Sequence, residues 1–313
     1  MKNKIFVMLT FIILAALAFT VFVENTFLVD VHAAVNQAVF RVSGEEQVVV
    51  GRQGRLFFAE ELPAYFGGNA DDAAIDELVG TVERLNDTLA EHGVRLIVMI
   101  APNKSSVYPE YMAYNLIKGA EHTAGIINER LAERGVDRLN AFALLSGRNE
   151  IVYHKTDTHW NAIGALLVYR ELMSMLDVPH ETYDSQDAQW QTVSAVGDLT
   201  KLYRPTVRSA EEDYAPIVAR SYRSARPVTN LDAADIRTTC GANNLNMLVV
   251  RDSFGEALFP YIANNVGSLT YLRAVPRDSA LILAQDVIVI EIVERNVFDL
   301  IGICEDILRA VPR

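Results

Sequence analysis

Two short stretches hold side chains that can do chemistry together: Asp157-Thr158-His159-Trp160 and Asp252-Ser253-Phe254. A carboxylate and an imidazole two residues apart in extended backbone point to the same side. The carboxylate can then orient one ring nitrogen and stabilise the imidazolium, while the other nitrogen takes a proton from a hydroxyl. Ser253 is the candidate hydroxyl. It lies between an apolar strand and a helix, where helix N-terminal N–H groups can stabilise a developing oxyanion. The predicted catalytic set is Ser253 as nucleophile, His159 as base and Asp157 as its orienting partner.

Each stretch also has a plain structural reading. Ser253-Phe254-Gly255-Glu256 is a capping box, with serine at N-cap and glutamate at N3, and alone it reads as a cap before it reads as a nucleophile. Asp157 or Asn161 can likewise cap the helix that follows. Capping explains the two stretches less well together than separately. A third reading groups His154, Asp157 and His159 as ligands of a zinc hydrolase. Helical i,i+4 spacing is missing, and His32, His92, His122 and His180 fall in the connector, near helix ends or in a loop. The triad therefore ranks above a metal site, and no metal or cofactor is expected.

The elements that must position these groups follow from hydrophobic patterning. Residues 94–101 (VRLIVMIA), 246–251 (NMLVVR) and 286–292 (DVIVIEI) are near-continuous apolar runs, the pattern of strands buried on both faces of a parallel sheet. Amphipathic spacing predicts helices through Ile75–Leu89 (capped by Asn69 or Asp71), over 123–133, over 161–176 and over 296–308. Residues 47–50 and 56–58 read as short strands around a glycine turn, and 136–139 as another short strand. Residues 180–235 carry weak periodicity and read as loops and short elements rather than a second domain. Alternating strands and helices predict a three-layer α/β/α domain with a parallel sheet, whose ligands bind beyond the carboxyl ends of the strands. Asn103 and Lys104 arrive there after the first strand. With Tyr261 and Arg273 they are the candidate substrate contacts.

Composition narrows the function class. The chain has 313 residues, half of them apolar, and a formal net charge of −12, which argues against nucleic acid because phosphate binding needs a positive field. Lys2 and Lys4 precede an apolar run from Ile5 to Val23. As a helix it is long enough to cross a ~30 Å hydrocarbon core. The preceding lysines place the rest of the chain outside the cytoplasm. The expected organisation is a signal anchor and connector over residues 1–37, then one domain over 38–313. Cys240 and Cys304 are far apart and form no C-x-x-C motif. They read either as a disulfide or as two small buried hydrophobes.

The stretch Tyr153-His154-Lys155-Thr156-Asp157-Thr158-His159-Trp160-Asn161, with Gly164-Ala165, resembles the DHHW-type signature of alginate O-acetyltransferase-like proteins, an SGNH-hydrolase-like group. Residues 250–255 (VRDSFG) resemble that family's second block, which supplies the nucleophilic serine. Weaker echoes come in order at 51–57, 102–109 and 291–295. The resemblance implies an SGNH-hydrolase-like (flavodoxin-like) domain preceded by one transmembrane helix, with Ser253, His159 and Asp157 as triad. It implies an extracytoplasmic domain that receives acetyl groups through a membrane-bound O-acyltransferase partner and moves them onto a polysaccharide. Thr158 replaces the first histidine of the pattern, and Arg55 stands where the family often has tryptophan. The last predicted helix ends close to residue 313, so no appended carbohydrate-binding domain is expected, and the expected acceptor is an exopolysaccharide or wall polymer rather than alginate itself. A carbohydrate acetylesterase would need the same triad. A non-catalytic glycan-binding or assembly protein would instead rely on exposed aromatics such as Trp190, Tyr203 and Tyr214.

Overall fold

The computed structural model describes residues 47–68, 71–119, 122–184 and 188–312. The Ile5–Val23 run and Asn69 lie outside the described residues, and among those residues no helix is long and apolar enough to cross a membrane.

Strands β1 (Val48–Val50) and β2 (Leu56–Phe58) form a small antiparallel pair. Helix α1 (Asp72–Glu91) is capped by Asp71, whose carboxylate accepts the Ala73 N–H. It leads to β3 (Arg95–Ala101), helix α2 (Thr123–Glu133) and the two-residue β4 (Arg138–Leu139). Helix α3 (Ala162–Leu176) starts from an Asn161 cap on the Gly164 N–H. A hairpin of β5 (Trp190–Ala195) and β6 (Glu211–Pro216) follows, with the short helix α4 (Asp198–Tyr203) between its strands. Then come β7 (Arg223–Ser224), β8 (Asp235–Thr239), β9 (Asn246–Val250), α5 (Phe259–Asn265), β10 (Ser268–Leu272), β11 (Val287–Val293) and α6 (Asp299–Ala310).

Seven strands make one sheet in the order β4-β3-β11-β9-β10-β8-β7. β3 and β11 are in register over their whole lengths, from Arg95 opposite Val287 to Ala101 opposite Val293. Alternation divides the core in two, because successive side chains on a strand face opposite sides. Ile97, Met99, Met247, Val249 and Val289 pack with α3 and α5 on one face. Leu96, Val98, Leu248, Ile288 and Ile290 pack with α1, α2 and α6 on the other. This is the expected three-layer α/β/α sandwich.

The sheet is mixed, which corrects the expectation of a parallel one: at one edge β8 pairs antiparallel with β10, and β7 pairs antiparallel with β8. In β8 only Ile236 and Thr238 are buried and their neighbours are exposed, the pattern of a strand covered on one face. A five-residue strand with three polar exposed positions carries little hydrophobic signal, and it falls where the patterning weakens. The β5–β6 hairpin, from the same weakly patterned stretch, is also mostly exposed. Cys240 and Cys304 are separate thiols, and burial pushes Cys304 up to about 12.

Candidate active site

Ser253 sits on the turn leaving β9, with φ −71° and ψ −23°. Its hydroxyl caps nothing, so the capping-box reading fails. The neighbouring Asp252 does that work: one carboxylate oxygen accepts the Phe254 N–H at 2.8 Å and the other accepts the Val293 N–H at 2.7 Å. From β11, the buried Glu291 accepts the N–H groups of Asp252 and Gly255, each at 3.1 Å. Burial, reinforced by the Asp252 charge, pushes the Glu291 carboxyl well above its usual range. The serine turn is thus tied to the central strand from both sides. A short 3-10 turn over Phe254–Ala257 replaces the first turn of the expected helix. The Phe254 and Gly255 N–H groups that a free helix end would offer an oxyanion are already engaged.

The second segment folds back on itself between Tyr153 and Trp160, which form an isolated antiparallel bridge. The His154 N–H donates to the His159 carbonyl, and the Asn161 N–H to the Val152 carbonyl. This loop delivers His159 to Ser253: Nε2 lies 2.9 Å from Oγ, and Nδ1 lies 2.7 Å from Asp157 Oδ1. Burial alone would raise the Asp157 carboxyl. The His159 hydrogen bond and charge, with the N–H groups of Asp198 and His159, overcome that and hold it far below the usual carboxylate range. Trp160 Nε1 donates to the Phe254 carbonyl at 3.1 Å, joining the same two segments one residue further along each. His159, Trp160, Ser253, Phe254 and Glu256 line a small cleft of about 180 Å³. A larger hollow of about 490 Å³ is lined by residues 225–230, 233 and 235–237 and by none of these groups.

Asp198, at the start of α4, joins the cluster from the stretch read as loops. Its N–H donates to Asp157 Oδ2 at 2.8 Å, and its carboxylate accepts the Thr158 N–H at 2.8 Å and the Thr158 hydroxyl at 2.6 Å. Thr158 Oγ1 also lies 3.2 Å from His159 Nδ1. The threonine that departs from the DHHW pattern is therefore bonded into the site. Nothing in local periodicity marks Asp198, because its role depends on a contact 41 residues away.

The other sequence candidates fall elsewhere. Tyr261 is 4% exposed and packs against Tyr169 and Tyr183 in the core. Asn103 and Lys104 are fully buried, and the Lys104 ammonium donates to main-chain carbonyls of the 154–157 loop. Arg273 pairs with Asp232 and lies 3.9 Å from Glu256 on the rim. Of the four, Arg273 reaches the rim of the cleft beside Glu256, and Lys104 approaches it from within, through the main chain of His154 and Asp157. His154 pairs with Glu211 and Asp213, and among the described residues it does not join Asp157 and His159 in a cluster of ligand atoms. Among the described residues, the group whose ligand atoms do cluster is Asp157, His159 and Asp198. Those atoms are engaged in the hydrogen bonds above. Trp190 stacks on Tyr214 with ring centres 5.1 Å apart, whereas Tyr203 is buried.

Residues 48–259 match the family described as SGNH hydrolase-like domain, acetyltransferase AlgX. The probable alginate O-acetylase AlgJ of Pseudomonas aeruginosa is 30% identical over 183 residues, covering 53% of this chain and 43% of that protein. The corresponding protein of Pseudomonas putida is 30% identical over 188 residues, covering 55% and 46%. The chain thus matches less than half the length of these curated relatives. Among solved structures, a DHHW family protein from Eubacterium siraeum superposes with a TM-score of 0.64 at 15% identity, covering 86% of this chain and 97% of that one. Bacillus cereus PatB1 gives 0.62 at 15% identity, covering 81% and 98%. The O-acetyltransferase domain of Pseudomonas putida AlgJ gives 0.51 at 20% identity, covering 80% and 92%. At these identities the superpositions establish the fold.

Proposed function

The chain belongs to the family of SGNH hydrolase-like acetyltransferase AlgX domains, and on that footing we propose that it O-acetylates a polysaccharide through an acyl-enzyme formed on Ser253. The observation that carries this reading is the unbroken line of hydrogen bonds from Ser253 Oγ through His159 to Asp157.

In the proposed cycle His159 Nε2 takes the hydroxyl proton as Oγ attacks the acetyl carbonyl carbon. Asp157, already ionised, holds Nδ1–H and stabilises the imidazolium without taking the proton itself. The Asp252, Phe254 and Gly255 N–H groups are held by the neighbouring carboxylates, so in the proposed cycle the Ser253 N–H is the donor that serves the oxyanion. Collapse expels the donor's leaving group, which receives the proton from His159. A sugar hydroxyl then gives its proton to His159 and attacks the acetyl-serine; the O-acetylated glycan leaves as His159 returns the proton to Ser253 Oγ. Water in place of the sugar would make the same site an esterase.

The relatives named alginate O-acetylases support a polysaccharide acceptor. The Ile5–Val23 run, with Lys2 and Lys4 before it, supports a domain tethered on the outer face of a membrane. There a membrane-bound O-acyltransferase supplies the acetyl group.

The test is acetylation itself. Wild-type protein mixed with an aryl acetate should carry one acetyl group on the peptide containing Ser253. A glycan acceptor should discharge it as an O-acetyl sugar faster than water does. Turnover of the aryl acetate with no acetyl on Ser253 at any time would refute the acyl-enzyme. Discharge to water alone, unaltered by any glycan, would make the protein an esterase.

A further inference from the structure

We infer that Lys104 is the positioning residue of this site, a buried ammonium that clamps the loop carrying Asp157 and His159 onto the end of the central sheet. The inference rests on the triad reading above and assigns a role that no contact with substrate requires.

Lys104 follows β3 by three residues, beyond the carboxyl end of a strand that is buried on both faces. Its side chain is fully buried, and its Nζ reaches three carbonyls of one loop: His154 at 3.3 Å, Lys155 at 3.4 Å and Asp157 at 2.6 Å. An ammonium has three donors and no acceptor, so three convergent carbonyls match its capacity. The shortest of these bonds goes to the main chain of Asp157, the residue whose carboxylate holds His159. The line of support therefore runs from the sheet to Lys104, to the Asp157 backbone, to the Asp157 carboxylate and on to the imidazole.

The surroundings suit a fixed cation. The Phe57 ring lies 5.2 Å from Nζ. The carboxylates of Glu61, Asp157, Asp198 and Glu211 all favour its charge, against a burial that lowers the ammonium to about 8. Glu61 is itself fully buried and anchored by the Ser105 N–H at 2.8 Å. A buried ammonium that donates every hydrogen to protein carbonyls has none left for a ligand. Such a group holds backbone in place, and the backbone it holds is that of the acid and base. Misplacing a reacting group by about 1 Å can cost about 10²-fold in rate, so the clamp acts on turnover more than on binding.

The experiment compares the full-length wild type with Lys104→Met, Asp157→Ala and the double variant, using an aryl acetate. Lys104→Met should lose about 10²-fold in kcat while KM stays within about threefold. In the Asp157→Ala background it should cost markedly less, because the carboxylate that the clamp positions is already gone. A residue that merely stabilised the fold would lower both backgrounds alike. Where Lys104→Met does not fold, Glu61→Gln/Lys104→Met removes both buried charges together and must show the same kcat loss. Wild-type kcat in folded Lys104→Met, beside a crippled Asp157→Ala, overturns the clamp and leaves the triad standing. Equal losses in both backgrounds also overturn it. Wild-type kcat in Asp157→Ala overturns the triad reading and the clamp with it.

Discussion

Replacing Ser253 with alanine separates chemistry from architecture, because among the described residues the hydroxyl has one hydrogen-bond partner. That partner is His159 Nε2 at 2.9 Å, and no backbone N–H is capped by the serine. The backbone at φ −71° and ψ −23° suits alanine as well as serine. What folding loses is one hydrogen bond, about 0.5–1.5 kcal/mol, and the imidazole, 28% exposed, can turn to water. The thermal midpoint should fall by no more than a few degrees. Turnover should fall by about 10⁴-fold or more, since the acyl-enzyme route disappears and only residual transition-state stabilisation remains. At about 1.36 kcal/mol per decade, that is about 5 kcal/mol of lost transition-state stabilisation, several times the largest stability change. The assay is release of nitrophenol from nitrophenyl acetate, with thermal unfolding run on the same preparations. His159→Ala should lose as much, and the double variant little more, because the two groups work as one unit. A folded Ser253→Ala protein that keeps a kcat within about tenfold of wild type would refute the serine nucleophile.

Other perturbations test the supports. Gly164→Ala would put a Cβ 2.3 Å from the Val152 carbonyl oxygen and 3.0 Å from Trp160 Cβ, at the join between α3 and the loop carrying Asp157 and His159. It should lower stability by about 1–3 kcal/mol in urea unfolding and reduce kcat; unchanged values would show that this contact has slack. Thr158→Val removes the hydroxyl bond to Asp198 and should cost about 0.5–1.5 kcal/mol, whereas Thr158→Ser should retain it. Equal stability of the two variants would show that the hydroxyl carries nothing. Burial would lower the His154 imidazole, but its hydrogen bond to Glu211 and the charge of Asp213 raise it above its usual value of 6.5. Its stabilising contribution is therefore fully present below pH 6.5 and is lost as pH rises through the raised value. Thermal scans across that range should show wild type losing stability relative to His154→Gln, and parallel curves would contradict the assignment.

The central sheet was legible because β3, β9 and β11 are apolar along almost their whole length, a pattern local enough to read from a few residues. The Asp157–His159 pair was legible for the same reason, being a two-residue relation. β8 was not, since an edge strand covered on one face leaves only Ile236 and Thr238 as signal. Its direction depends on pairing with β10, which follows it in sequence. Taken alone, the Ser253 segment read first as a cap because the capping box is a local pattern, and only its pairing with the Asp157–His159 stretch favoured a nucleophile. The structure gives that work to Asp252 and Glu291, and Glu291 betrayed itself only as a lone acid in an apolar strand. Lys104 stood at the right end of the sheet, where a charged side chain suggests a ligand. Whether such a side chain turns outward or inward is decided by a loop 50 residues later.

The hydrogen bond from Trp160 to the Phe254 carbonyl runs beside the one between His159 and Ser253, each partner shifted by a single residue. Two struts joining the same two segments need not share the same duty. Trp160 is 1% exposed, and its bond has no proton to relay. The spacing between base and hydroxyl is therefore inherited from a joint that stays shut. Throughout the proposed cycle the working bond can open, form its ester and close again while the frame around it holds its dimensions.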